Sequence, residues 1–209
     1  KEPTNWAEFV ATCEALKKAG HAPFTTDPDA YIDIVFGSYA SRAFGGTDGL
    51  AKAEMDRTGE SWRDPRWLRM AEDFYMMYQK GYLAPGTEGN LFPAGQQALA
   101  LGDVTMEING TWLPSEVKET TGPEFRWGAF SFPMVTNGAG SLGDVQMGSA
   151  ALTIAKSSDV IDEAFEFTKY IVSKDVQQAF LDVANVPAIH KNVTWTGPLA
   201  GAQQAVHNA

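Results

Sequence analysis

Apolar residues recur at helical spacing along much of the chain, and helix-capping residues bound the stretches in which they do so. In the first stretch, Asn5 and Glu8 have capping-box spacing, and Gly20 ends the apolar stripe. Cys13 lies on that stripe, which predicts a buried cysteine that packs as a small hydrophobic side chain. The stretches predicted as helices are residues 5–20, 64–81, 96–101, 157–172 and 175–183.

Short apolar runs separate these helices and have the pattern of strands. Val104, Met106 and Ile108 alternate with other residues before an Asn109-Gly110 turn. Residues 125–132 and 147–155 are also predicted as strands from their apolar and aromatic content. Helices that alternate with short strands indicate an α/β fold.

The charge of the chain excludes some classes of partner. Its 209 residues include 26 acidic and 16 basic side chains, which gives a formal net charge of −10. Nucleic-acid phosphates and anionic membrane surfaces are bound by clustered Lys and Arg, whereas this chain has an excess of acidic residues. The longest nearly apolar run, residues 147–155, is much shorter than the roughly 20 residues that span a bilayer. We therefore expect neither nucleic-acid binding nor membrane insertion by this segment.

Metal and nucleotide cofactors are not expected either. The single cysteine, Cys13, rules out a Cys-rich zinc site, and the three histidines have no metal-ligand spacing. Residues 138–143 match the glycine pattern of a dinucleotide-binding loop, but that loop needs a strand before it and a helix directly after it. Because a strand-like run follows, the glycines indicate a crossover or hinge.

The stretch most informative about function runs from Leu101 to Trp112. A glycine, a short strand and an Asn-Gly turn lead into Trp112 at a predicted helix start, so the indole lies where a strand's carboxyl end meets a helix. Proteins of the α/β class bind ligands at this edge, and a flat indole can pack against the apolar face of a sugar ring. A buried structural tryptophan is the alternative that the spacing leaves open.

Glu107, on the same predicted strand, leaves an enzymatic alternative open. A glycosidase needs two carboxyl groups that flank the scissile bond. Glu107 lies close to Asn109 and Trp112 along the chain, but the sequence places no second carboxylate opposite it. We therefore expect a non-catalytic binding module, with a carbohydrate-active hydrolase that uses Glu107 as the alternative.

Five motifs follow one another in order between about Pro3 and about His190. They are PTNWAEF at residues 3–9, KGYLAP at 80–85, LGDVTMEINGTW at 101–112, FP at 132–133, and GSAALTIAKSS at 148–158 followed by AFEFTKYI at 164–171. This series resembles the extracellular solute-binding proteins of bacterial ABC importers, in the carbohydrate-binding group that is similar to maltose-binding protein. The stretch at residues 101–112 is its most specific element.

The resemblance implies a type II periplasmic-binding-protein-like fold, an α/β architecture of two lobes joined by a hinge. On that pattern residues 1–135 form the second, C-terminal lobe and residues 136–143 the hinge or crossover. Residues 144–190 are a segment contributed to the first lobe, and residues 191–209 a return or tail segment. The chain is then expected to be the middle of a longer protein, one nearly complete lobe plus a segment of the other, and residues 147–183 are expected to lack their sheet partners.

The resemblance also implies a function. Members of this group bind a sugar or oligosaccharide between the lobes and deliver it to the transmembrane subunits of an ABC permease, without catalysis and without a cofactor. They do so in the periplasm or outside the cell, where a lipid anchor can precede the binding domain. A non-sugar solute is the alternative within the same class.

Six residues are predicted to form the ligand site from their match to the family pattern. Trp112 matches the stacking tryptophan, and Tyr31 with Asp29 matches an aromatic and an acid on the same cleft wall. Met147 and Gly148 match the strand that faces the ligand from the other lobe. Asn109 belongs to the site but is expected to hold the turn more than the ligand.

Overall fold

Two short parallel strands form the centre of the computed structural model, which describes residues 1–46, 48–144, 148 and 151–201. Strands β1 (Ala22–Thr25) and β2 (Val104–Glu107) lie side by side, with Phe24 opposite Met106 and Thr25 opposite Glu107. Leu83 extends the sheet beyond β1 through a single parallel bridge to Phe24. Because the strands are parallel, the segments that follow Thr25 and Glu107 emerge at the same edge.

Helices surround this small sheet. Those of the described residues are α1 (Trp6–Lys18), α2 (Pro28–Phe44), α3 (Asp48–Met55), α4 (Pro65–Gln79), α5 (Ala94–Leu101), α6 (Leu113–Glu116), α7 (Lys118–Thr121), α8 (Ile161–Ile171) and α9 (Lys174–Ala184), with 3-10 turns at Glu60–Arg63 and Thr87–Gly89. Two predicted caps are confirmed, since the side chain of Asn5 accepts from the Glu8 N–H and that of Asp64 from the Arg66 N–H, each at 3.0 Å. These bonds satisfy N–H groups that have no partner within the helix. The cap predicted at residues 157–159 is wrong, because α8 begins at Ile161 without a capping side chain.

The main core lies between the sheet and helices α1, α2 and α4. It is a cluster of buried apolar side chains in which aromatic rings meet edge to face. Its members are Trp6, Phe9, Cys13, Phe24, Tyr39, Ala43, Met77, Tyr82 and Val135. Cys13 is fully buried, as predicted, and burial raises the pKa of its thiol to about 12, so it is an unreactive packing residue.

One strand prediction is wrong, and a second is not met in the part of it that the structure describes. Residues 125–132 form no strand, and the rings of Phe125 and Trp127 pack together there at 4.7 Å between centroids. Residues 151–155 form none either and are largely exposed. A strand needs a neighbour for its backbone hydrogen bonds, and the described part of the sheet offers none to these two segments. Apolar content alone could not reveal this.

The glycine-rich segment 138–143 packs against the carboxyl end of α2. The N–H groups of Ala139 and Gly140 donate to the Ala43 and Arg42 carbonyls at 3.2 and 3.0 Å. A Cβ on Gly138 would lie 2.4 Å from the Arg42 carbonyl oxygen, so only glycine fits there. Buried Arg42 adds a bond from its Nε to the Phe132 carbonyl at 2.8 Å. Close packing therefore explains these glycines.

Helix α8 differs from the other long helices in having no buried residue. Its apolar side chains face solvent, with Phe165 56%, Phe167 57% and Tyr170 62% exposed. Helix α9, in contrast, buries Leu181 completely. The chain after the glycine-rich segment is therefore attached to the rest mainly through α9.

Candidate ligand-binding site

Two chain segments meet at the carboxyl-terminal edge of the parallel sheet. Strand β1 leads into Asp27 and helix α2, and β2 leads into the Asn109-Gly110 turn and Trp112. Because Thr25 and Glu107 are register partners, the residues that follow them come out next to each other. This is the edge at which α/β proteins bind ligands.

Asp27 fixes the first of these segments. Its fully buried carboxylate accepts hydrogen bonds from the N–H groups of Gly95 at 2.6 Å and Gln96 at 3.5 Å, in the first turn of α5. A carboxylate at this position satisfies free N–H groups and lies at the positive end of the helix dipole. A Cβ on Gly95 would lie 2.8 Å from the same carboxylate, so glycine permits the close approach. Asp27 thus joins α5 to the start of α2.

Tyr31 connects the two segments. Its ring is buried, and its hydroxyl lies 3.4 Å from Glu116 Oε2 and 3.5 Å from Gln96 Oε1. Burial raises the pKa of Tyr31, whereas hydrogen bonds from the Trp112 and Asn109 side chains act in the opposite direction. Three of the predicted site residues, on α2 and after β2, are therefore in one group.

Trp112 lies directly before α6 and is half-buried. Its indole covers Gly110 so closely that a Cβ there would fall 2.2 Å from the ring atoms. Asn109 holds this turn, because its Oδ1 accepts from the Gly110 N–H at 2.7 Å and its Nδ2 donates to Glu107 Oε1 at 3.3 Å. The part of the indole that stays exposed distinguishes Trp112 from the core residue Trp6, which is 5% exposed.

Glu107, at the end of β2, has an unusual environment for a carboxyl group. Its Oε2 is shielded from solvent and has no hydrogen-bond partner among the described residues. Burial, and after it the charge of Asp27, raises the pKa of Glu107 to about 8, while the bond from Asn109 lowers it and the charge of Glu116 adds a smaller increase. Glu107 therefore carries a proton at neutral pH.

An open concavity of about 370 Å³ lies beside the indole. It is lined by Trp112, Ser115, Glu116, Ala184 and Val186. The end of α9 is held at this wall, since Asn185 Nδ2 donates to Ser115 Oγ at 2.8 Å. The two sides of the concavity thus come from distant parts of the chain.

Two other predicted residues, Asp29 and Gly148, are not part of this group. Asp29 is exposed, and its Oδ1 accepts from the Phe92 N–H at 2.9 Å. Gly148 is exposed, and a Cβ there would meet nothing within 4 Å. Met147 lies outside the described residues. Their roles stay predictions.

Sequence reasoning missed the polar residues that complete the group. Glu116 follows Trp112 by one helical turn, which is a spacing that places two side chains on the same face. Asp27 precedes Pro28 at a helix start, which is the pattern of an N-cap. Gln96 gave no signal, because its contact with Tyr31 joins residues that are far apart in the chain.

No helix among the described residues is long and apolar enough to cross a membrane. Within the same residues, no group of three or more His, Cys, Asp and Glu side chains could hold a metal ion.

A family model described as bacterial extracellular solute-binding protein matches residues 1–178. The chain belongs to this family. The match confirms the resemblance drawn from the five motifs. None of the curated proteins compared with the chain matches it.

Solved structures share the fold at low sequence identity. One, described under xylan utilization by Caldanaerobius polysaccharolyticus, has a TM-score of 0.76 at 19% identity. The match covers 100% of this chain and 54% of the chain in that structure. RafE in complex with raffinose has a TM-score of 0.70 at 23% identity, with 98% and 54% covered. A chitin oligosaccharide binding protein has a TM-score of 0.73 at 21% identity, with 99% and 53% covered.

These likenesses confirm the predicted fold class. The chain has the α/β fold of type II periplasmic-binding proteins and spans about half the length of the structures that it matches.

Proposed function

We propose that this chain is part of an extracellular or periplasmic receptor that binds a sugar or oligosaccharide and delivers it to the permease of an ABC importer. The half-exposed indole of Trp112, beside Tyr31 and an open concavity, is the observation that carries the proposal. An aromatic face packs against the C–H face of a sugar ring, and nearby carboxyl and amide groups bind its hydroxyls. Proteins with the same fold bind raffinose and chitin oligosaccharides.

The chemistry of the concavity favours an uncharged sugar. Its lining includes the carboxyl group of Glu116 and no Lys or Arg. An anionic sugar would meet like charge there without a cation to offset it. If the solute is instead a cation, positively charged ligands should bind better than neutral ones. A panel of neutral, acidic and amino sugars therefore separates an uncharged sugar from a cationic solute.

We further propose that the ligand lies between two lobes. In this arrangement residues 1–135 form one lobe, residues 136–143 the crossover, residues 144–190 a segment of the other lobe, and residues 191–209 the return or tail. The proposal is supported by the concavity, which has Trp112 and Glu116 on one side and Ala184 and Val186 on the other. Lobe closure would then bring Met147 and Gly148 towards the ligand, with Asp29 at the rim.

The exposed face of α8 fits the same arrangement. Its aromatic side chains would be covered by parts of the receptor fold beyond the half that this chain spans. Burial of a large apolar side chain contributes about 1.5–3 kcal/mol, so a helix with several exposed ones gains much from a covering partner.

A ligand screen followed by one substitution tests the receptor role. The full-length protein is first screened by thermal shift against raffinose, stachyose, and xylan and chitin oligosaccharides, because a ligand that binds only the folded state raises apparent stability. Trp112→Ala should then weaken the binding of the best ligand by a factor of about 5 or more, since a stacked aromatic pair contributes about 1 kcal/mol. Trp62→Ala is the matched control, because Trp62 is also half-exposed but packs on Trp67 away from the concavity. Equal affinities of both variants would contradict the stacking role.

The hydrolase alternative is tested by Glu107→Gln. A protonated carboxyl with a pKa of about 8 is the form that a general acid takes, which is why Glu107 is the residue to change. We expect no release of reducing sugar by the wild type or by the variant. Hydrolysis by the wild type that the substitution abolishes would support an enzyme instead.

A further inference from the structure

Glu107 directly precedes the turn that carries Trp112, and half of its carboxyl group has no protein partner. Oε1 accepts from Asn109 Nδ2 at 3.3 Å, whereas Oε2 is shielded from solvent and unbonded among the described residues. A charge in such a place is strongly disfavoured, and a neutral carboxylic acid is tolerated far better. The geometry therefore favours a proton on Glu107.

The groups that face Glu107 add negative charge. Asp27 at the start of α2 and Glu116 on α6 both act on it, and the Tyr31 hydroxyl on α2 lies within the same electrostatic group. Gln96 on α5, which contacts Tyr31 and Asp27, is uncharged. In the described part of the chain, no Lys or Arg forms an ion pair with Glu107 or Glu116. Ionised Glu107 would thus be a third carboxylate without a counter-charge.

We propose that Glu107 is a proton-dependent positioning residue: on ionisation its carboxylate moves away from its shielded site, and the hydrogen bond from Asn109 transmits this movement to the Asn109-Gly110 turn and Trp112, which weakens ligand binding. The driving force is first the cost of a charge shielded from solvent and then repulsion from Asp27. Asp27 itself is held by the N–H groups of α5. We therefore expect Asp27 to stay in place and the Asn109-Gly110 turn to move. The ligand-binding half of this proposal rests on the proposed function.

A titration without ligand tests the positioning step. The tryptophan fluorescence of the full-length protein is followed from about pH 6 to about pH 9.5 in the wild type, Trp112→Phe, Glu107→Gln and the control Glu119→Gln, which alters an exposed acid on α7. We expect a transition near pH 8 in the wild type and the control, and its absence from Trp112→Phe and Glu107→Gln. A transition that persists in Glu107→Gln, or none in the wild type, would overturn the proposal.

Glu116→Gln provides a second variant if Glu107→Gln fails to fold. Removal of one neighbouring negative charge makes ionisation of Glu107 easier, so the midpoint of the fluorescence transition should move to lower pH. An unchanged midpoint would count against the proposed charge cluster.

Calorimetric titration with the best-binding oligosaccharide of the screen tests the ligand-binding half. We expect the wild-type Kd to be about tenfold higher at pH 9 than at pH 6.5, because the protonated fraction falls about tenfold one unit above the pKa. The Kd of Glu107→Gln should not change with pH, and parallel profiles of both proteins would refute the idea. Failure of every sugar to bind at any pH would contradict the proposed function, while the titration without ligand would still decide the role of Glu107.

Discussion

Glycine at position 110 is what allows the indole of Trp112 to pack closely against the turn. The ring atoms occupy the space that any side chain at this position would need. The Asn-Gly pair therefore does more than form a turn, since it also sets the orientation of the aromatic face at the candidate site.

We predict that Gly110→Ala displaces the indole and weakens sugar binding about as much as Trp112→Ala. The free energy of unfolding should change by less than about 1 kcal/mol, because alanine also restricts the unfolded chain and the ring can move aside. Calorimetric titration and denaturant unfolding measure the two effects. Gly128→Ala is the control, since a Cβ there meets nothing within 4 Å. Unchanged sugar affinity in Gly110→Ala would show that the indole orientation is unimportant.

The protonation of Glu107 also makes stability depend on pH. Its pKa is raised from 4.5 to about 8 on folding, so between these values the native state holds a proton that the unfolded state has lost. Stability conferred by this group is complete below about pH 4.5 and decreases as the pH rises to about 8, by at most about 1.4 kcal/mol per pH unit.

We therefore predict that the free energy of unfolding falls less between pH 5 and pH 8 in Glu107→Gln than in the wild type. Urea titrations at each pH measure this free energy. Glu119→Gln should keep the wild-type dependence because its carboxyl group is exposed. Superimposable profiles of Glu107→Gln and the wild type would mean that Glu107 ionises normally.

At the residue scale, the sequence predicted the aromatic half of the candidate site better than the polar half. Trp112 could be placed because a strand, a turn and a helix start follow each other within a few residues. Glu116, Gln96 and Asp27 could not be grouped with it, since they meet only after β1 and β2 pair. The raised pKa of Glu107 likewise depends on burial and, after it, on the charge of Asp27, which is distant in the chain.

At the scale of elements, α5 depends on a residue that belongs to another helix. It begins at Ala94 without a capping side chain of its own, and the Asp27 carboxylate accepts from its first turn instead. Asp27 is at the same time the N-cap residue of α2, although its side chain makes no capping bond there.

We predict that Asp27→Ala lowers the free energy of unfolding by about 2–3 kcal/mol, because it leaves buried N–H groups of α5 unpaired. Asp33→Ala is the matched control, since Asp33 is an exposed acid on α2. Guanidinium unfolding of both variants measures the difference. A loss below about 0.5 kcal/mol in Asp27→Ala would contradict the cross-helix capping role.

Helices with a capping side chain were easier to predict than strands for a physical reason, whereas α2, whose N-cap residue makes no capping bond, was not predicted as a helix. Caps and apolar spacing are local, and both Asn5 and Asp64 make the bonds that the sequence indicated. Residues 125–132 have strand-like composition but no neighbour to pair with, which only the tertiary arrangement decides. The glycines at 138–143 needed the position of α2 before their close packing could be understood.

At the scale of the whole molecule, the chain spans about half the length of the structures that it matches. Helix α1 buries Trp6, Phe9 and Cys13, whereas α8 exposes aromatic side chains and buries no residue. The glycine-rich segment 138–143, in contrast, is held through Arg42, which donates to the carbonyls of Phe132 and Leu142. The proposed boundary between two lobes lies between these two parts of the chain.

The most direct test of the central claim is an NMR titration of the tryptophan indoles in the full-length protein. The chain has six tryptophans, and the Nε1–H signal of Trp112 is assigned as the one missing from Trp112→Phe. During addition of the best-binding oligosaccharide, we predict that this signal shifts and saturates at the Kd measured by calorimetry, while the signals of the core residues Trp6 and Trp67 stay in place. Saturation of binding with the Trp112 signal unmoved would contradict the claim that the sugar packs on this indole.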